Sequence, residues 1–107
     1  MDSEKTVLCA ASKYEQKYYL SQDFEGLPDN VKKELKIMCV LFTEDIGGIL
    51  TLEFDENGTL NLVTEAYEDD LLYDEIGSVL KIKQLREDKK ELFQSLEMYY
   101  KVLCELI

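Results

Sequence analysis

The sequence predicts an α+β fold: a small antiparallel sheet of β-hairpins packed against two helices, the C-terminal one long. Three observations carry this. Leu50, Leu52 and Phe54 share one face of an alternating run, and Leu60 and Leu62 share one face of another, on either side of Asp55-Glu56-Asn57-Gly58; a half-buried strand requires that period of two. Val31, Leu35, Met38 and Phe42 recur at helical spacing, and so does a longer series from Ile82 to Leu106. A chain of 107 residues that is 46% apolar and 33% charged is globular in composition and has room for one domain, residues 1–107.

Taken in order, Lys5 to Leu20 supports two readings. Val7 to Ala11 and Lys17 to Leu20 form two short strands, or Val7, Ala11, Tyr14 and Tyr18 line one helical face behind the Ser12–Glu15 capping box. The short apolar run and the Tyr18-Tyr19 pair favour the strands. Ser21 to Leu27 reads as a loop carrying Phe24. Pro28 then opens a helix where its missing N–H does no harm. That helix runs to Thr43, and from Ile37 to Phe42 every side chain is apolar, so its end is expected to be covered on several sides. Gly47-Gly48 lets it stop and turn.

The central hairpin has an arguable register. A two-residue Asn57-Gly58 turn would set Phe54 opposite Asn61 and put the apolar residues on opposite faces. A three-residue loop of Glu56, Asn57 and Gly58 instead pairs Phe54 with Leu60 and Leu52 with Leu62, with glycine in the left-handed bulge position. The second arrangement leaves Thr51, Glu53, Asp55, Thr59 and Asn61 on a solvated face.

Beyond Glu65 to Asp70, a seam of Ile82, Leu85, Lys89, Leu92, Leu96, Tyr99, Leu103 and Leu106 alternates by three and four. Extended back to Leu71 this helix would be a rod of about 54 Å. A domain of this size has a radius of gyration near about 13 Å. Either Gly77-Ser78 or the polar run Arg86 to Glu91 breaks the rod, or its overhang packs on a second copy. The apolar run Val102 to Ile107 is expected to dock, as an unattached end would fray.

Charge is segregated. Ile37 to Leu80 holds eleven acids and no base, while the remainder holds twelve of each, so the whole net charge of −11 lies in the middle. An acidic surface repels phosphate, which argues against nucleic acid and anionic membrane and leaves basic proteins and cations as partners. With no secretory h-region and no run of 18 apolar residues, the expected location is cytoplasmic. Cys9, Cys39 and Cys104 sit among apolar neighbours, so the expectation is reduced core thiols. The Asn57-Gly58-Thr59 glycosylation triplet is then idle.

Several chemistries are excluded. Without histidine there is no Ser-His or Cys-His nucleophile and no imidazole zinc site, and three scattered cysteines do not make a four-thiolate site. Glu53 to Thr64 mimics a calcium loop, but Thr64 stands where a bidentate Glu is needed and the flanks read as strands. Glycoside hydrolysis would need an enclosed carboxylate pair, and no catalytic residue is assigned. Glu68, Asp69, Asp70 and Asp74 are the candidate ligands for a hard divalent cation if a helix starting near Asp70 aligns two of them. The alternative is acids complementing a helix dipole in water.

Tyr14 to Tyr19, Glu34 to Leu41, Gly47 to Asp55 and Asp74 to Leu80 resemble the corresponding runs of an uncharacterised family of short acidic proteins from gut Firmicutes, known as a domain of unknown function. The resemblance implies a bacterial protein, and it carries no activity, cofactor or site residue. The outline is also similar to secretion-chaperone-like folds, a likeness of fold alone. The leading expectation is a non-enzymatic interaction, adaptor or chaperone-like protein without cofactor. It acts as a homodimer, or with another and basic protein, through Leu92, Leu96, Tyr99, Tyr100 and Leu103. The alternative is a divalent-cation-binding regulatory protein, and a third is a small enzyme acting on a cationic or sugar substrate.

Overall fold

A computed structural model describes residues 5–106. The N-terminal ambiguity resolves to strands: β1 (Thr6–Ser12) pairs antiparallel with β2 (Lys17–Leu20), Cys9 lying opposite Leu20. The Ser12–Glu15 pair closes the turn between them instead of starting a helix. The Ser12 hydroxyl accepts the Glu15 amide at 3.2 Å, and Gln16 adopts a left-handed φ of 55°.

The central hairpin has the glycine-bulge register. In β3 (Ile49–Phe54) and β4 (Leu60–Glu65), Phe54 faces Leu60 and Leu52 faces Leu62. Its loop is held by Asp55, whose carboxylate accepts the amides of Asn57 at 2.9 Å and Thr59 at 3.0 Å. Those bonds, the one from Thr59 foremost, hold the Asp55 carboxyl below its usual range. Gly58 takes a φ of 81°, a conformation that costs a residue without Cβ nothing.

The strands form one antiparallel sheet in the order β2-β1-β3-β4. Pairing of β1 with β3 slips between Val7 and Cys9, and this irregularity lets two successive residues, Leu8 and Cys9, both face the core at 0% exposure. On the opposite face Thr51, Glu53 and Asn61 are half-buried and Thr59 is exposed, the solvated polar side expected.

Helix α1 (Asp29–Ile46) crosses the buried face, sinking Leu35, Met38, Cys39, Phe42 and Ile46. It runs three residues past Thr43 and ends where Gly47, at φ 93°, donates to the Thr43 carbonyl at 2.8 Å. The expected long C-terminal helix is two: α2 (Glu75–Asp88) and α3 (Lys90–Glu105). The break falls at Lys89, inside the polar run, and its ammonium is tied to Glu34 at 2.9 Å. Gly77-Ser78 stays helical because Ser78 is buried and its hydroxyl accepts from Tyr73 at 3.0 Å. The rod therefore folds back, and the radius of gyration is 13.9 Å.

Folding back lays α3 against the hairpin. Phe93 and Leu96 are buried, and the Tyr100 ring stacks on Phe54 at 4.2 Å and 4°, with Phe24 5.7 Å from Phe54. Phe24 comes from a single 3-10 turn at Gln22–Phe24. The first residue of edge strand β4 is covered as well, since the Leu60 amide donates to Glu97 at 2.7 Å.

Candidate functional site

The four acids nominated as cation ligands, Glu68, Asp69, Asp70 and Asp74, are not aligned on one helix face. The helix begins at Glu75, later than the cluster needs. Asp74 is its N-cap, accepting the Gly77 amide at 2.8 Å, a use that contributes about 1 kcal/mol. Asp70 accepts the Tyr14 hydroxyl at 2.5 Å and the Leu72 amide at 2.9 Å. Glu68 and Asp69 are exposed. Among the described residues no group of three or more acids or thiols is placed to hold a metal ion.

Tyr14 and Asp70 form a clamp between the β1–β2 turn and the loop before α2. The Tyr14 and Tyr67 rings stack at 3.7 Å and 8°, and the Tyr14 hydroxyl accepts the Tyr67 amide at 2.9 Å. The bond from Tyr14 holds the Asp70 carboxyl below the usual carboxylate range, while partial desolvation raises Tyr14. A depressed folded pKa means the clamp is complete above the unfolded value of about 3.9 and is lost as pH falls through the lower folded value. In Tyr14→Phe the Asp70 carboxyl, followed by NMR, is expected to titrate closer to the unfolded value; an unchanged midpoint would count against the clamp.

The seam residues expected to meet a partner, Leu92, Leu96, Tyr99, Tyr100 and Leu103, pack instead against the chain's own core. Leu96 is 2% exposed, and Tyr100 is occupied by Phe54 and by Thr6, whose hydroxyl lies 3.0 Å from its own. A seam is apolar because something covers it, and here the chain's own core does. At the end of the chain Val102 and Leu106 are exposed instead of docked, and Ile107 lies outside the described residues.

The thiols divide. Cys104 is exposed, a departure from the core role expected of all three, whereas Cys9 and Cys39 are buried with sulfurs 3.8 Å apart. The bond between them, with burial, pushes the Cys39 thiol far up, while the same bond draws Cys9 below its ordinary value, so Cys39 is the member that keeps its proton. Beside Cys9, burial likewise raises Tyr18.

The surface feature that periodicity does not single out is apolar. Ile37 and Leu41 on α1, and Leu71, Leu72, Ile76, Val79 and Leu80 around the start of α2, are seven of the fourteen large apolar side chains exposed among the described residues. Leu71 and Leu72 are 94% and 92% exposed. Helix α2 is apolar on both sides: Ile82 and Leu85 pack on the core, while Ile76, Val79 and Leu80 face out. Between α1 and the second half of α2 runs a groove of about 520 Å³, with Met38 and Phe42 as floor, Ile37, Leu41 and Leu85 as walls, and Lys33, Lys81 and Lys89 on the rim. One signal could have located it: the unbroken apolar run Ile37 to Phe42 is wider than one buried stripe.

Sequence comparison identifies one family over residues 5–106, described as a Family of unknown function (DUF6145). No curated protein and no solved structure matches the chain.

Proposed function

The chain belongs to DUF6145, a family of unknown function, and from that premise we propose that it is a non-enzymatic protein-interaction module acting as a homodimer in the bacterial cytoplasm. The observation that supports this is the outward apolar side of α2 with the leucine pair before it. The first half of α2 carries apolar side chains outward as well as inward, and such a segment belongs in an interior, yet its outer side lacks a cover. Burying one such Leu, Ile or Val side chain contributes about 1.5–3 kcal/mol, so a handful outweighs the cost of bringing two chains together. The negative charge of both copies does not forbid this, because at physiological salt it is screened beyond about 8 Å. An adaptor or chaperone-like role fits the exposed apolar surface. Likeness to short acidic proteins of gut Firmicutes fits the bacterial setting. No helix among the described residues is long and apolar enough to cross a membrane.

Sedimentation equilibrium tests the reading. The 12.5 kDa chain is expected to show twice that mass at high micromolar concentration. Val79→Asp, at a side chain 68% exposed, is expected to return it to monomer with an unchanged circular dichroism spectrum. A wild-type monomer at millimolar concentration would overturn the homodimer.

A further inference from the structure

We propose that the groove between α1 and α2 is the receptor for the Leu71-Leu72 segment of a second copy, so that two chains hold each other by reciprocal insertion; this rests on the homodimer reading above and specifies its surfaces.

Both halves of the contact are present in one chain. The receptor is apolar inside, through Ile37, Leu41 and Leu85, and carries Lys33, Lys81 and Lys89 at its rim. Glu34 lines the groove too, so its charged residues sum to a modest positive excess in a protein of net charge −11. Lys81 and Lys89 are held in place by Asp45 and Glu34, both at 2.9 Å, while Lys33 is exposed. The insert has the opposite character: two almost fully exposed leucines flanked by the exposed acids Glu68, Asp69, Asp74 and Glu75. An apolar slot takes an apolar plug, and Lys33 at its mouth favours the acidic collar around the leucine pair.

Geometry allows the exchange to be mutual. Lys81 meets Asp45, and the Asp74 amide donates to Ile46 at 3.2 Å, at one end of the helix pair; Lys89 meets Glu34 at the other. The helices α1 and α2 are therefore antiparallel, with the leucine pair beyond one end and the groove toward the other. A two-fold axis across the middle of the pair sets each copy's leucines over its partner's groove and makes the two contacts identical. The insert is also pre-ordered, which lowers the entropic cost of docking: the Tyr14–Asp70 clamp holds the loop, and Asp70 binds the Leu72 amide. The contact would cover Ile37 and Leu41, 58% and 59% exposed in the single chain.

The test is Leu71→Asp with Leu72→Asp, two changes at positions that support nothing in the fold. The dimer dissociation constant is expected to rise by about a hundredfold or more, with the melting temperature of the dilute monomer unchanged. Lys33→Glu is expected to weaken association, and adding Glu68→Lys and Asp69→Lys to the same chain to restore it, a rescue that a merely structural lysine would not show. If wild type dimerises and the leucine variant dimerises as tightly, this insertion is wrong and the homodimer stands. A wild-type chain that is monomeric at millimolar concentration overturns both.

Discussion

Replacing Phe54 with alanine is expected to lower the free energy of unfolding by about 3–5 kcal/mol. Phe54 is fully buried, faces Leu60 across the hairpin, and packs in a triangle with the rings of Phe24 and Tyr100. Truncation removes the transfer energy of a whole ring, leaves a cavity, and strips both neighbours of a stacking partner whose geometry adds about 0.5–1.5 kcal/mol per pair. The three rings come from the 3-10 turn, the central strand and the last helix, so no single element can shift to fill the hole. Since a domain of this size is stable by about 5–15 kcal/mol in all, the loss is a large share of the total. Urea denaturation measures the loss directly. A value below about 1.5 kcal/mol, typical of tolerated volume-conserving swaps, would mean that α3 does not pack on the hairpin as described.

Gly48→Ala is the second large effect. Gly48 has a φ of 71°, and a Cβ there would lie 2.5 Å from the Glu65 carbonyl oxygen and 2.8 Å from the Tyr73 ring. The left-handed conformation costs about 1–2 kcal/mol for a residue with a side chain. Overpacking against strand backbone adds about 1–3 kcal/mol. Gly47 has the backbone cost without the contact: at φ 93° and ψ −173° it lies where a side chain costs about 1–3 kcal/mol, but the nearest atom to an added Cβ is 3.8 Å away. Thermal melts should therefore show a loss for both variants, the larger for Gly48→Ala, which adds overpacking to its backbone cost. Equal drops would place the whole cost in the backbone and none in the contact between Glu65, Tyr73 and the helix exit.

The parts of this fold that are readable from residues are those set by local chemistry. Asp55, Asn57 and Gly58 specify the loop, and the alternation of Leu50, Leu52, Phe54, Leu60 and Leu62 then admits only one register that buries them together. Pro28 and Gly47 bracket α1. What escapes is set by tertiary contacts. A bulge that buries both Leu8 and Cys9 erases the alternation of β1. The break at Lys89 is chosen over Gly77-Ser78 because Ser78 is satisfied by Tyr73 and Lys89 by Glu34, and no periodicity reveals either pairing. An apolar seam does not say which surface covers it, and the Leu92–Leu103 seam packs on the chain's own core. The outward residues of α2, Ile76, Val79 and Leu80, follow no stripe that periodicity reveals.

The order of the strands also governs how the chain reaches this state. The two hairpins touch only through their first strands, Ala11 lying opposite Leu50, so joining them closes a long loop that contains β2 and all of α1. Each hairpin can zip on a microsecond timescale, yet an isolated two-stranded ribbon is marginal at best. The slow step is thus the meeting of β1 with β3, whose entropic penalty grows only with the logarithm of the loop and shrinks further once α1 coils within it. Kinetically the helix is the splint that brings the two ribbons together.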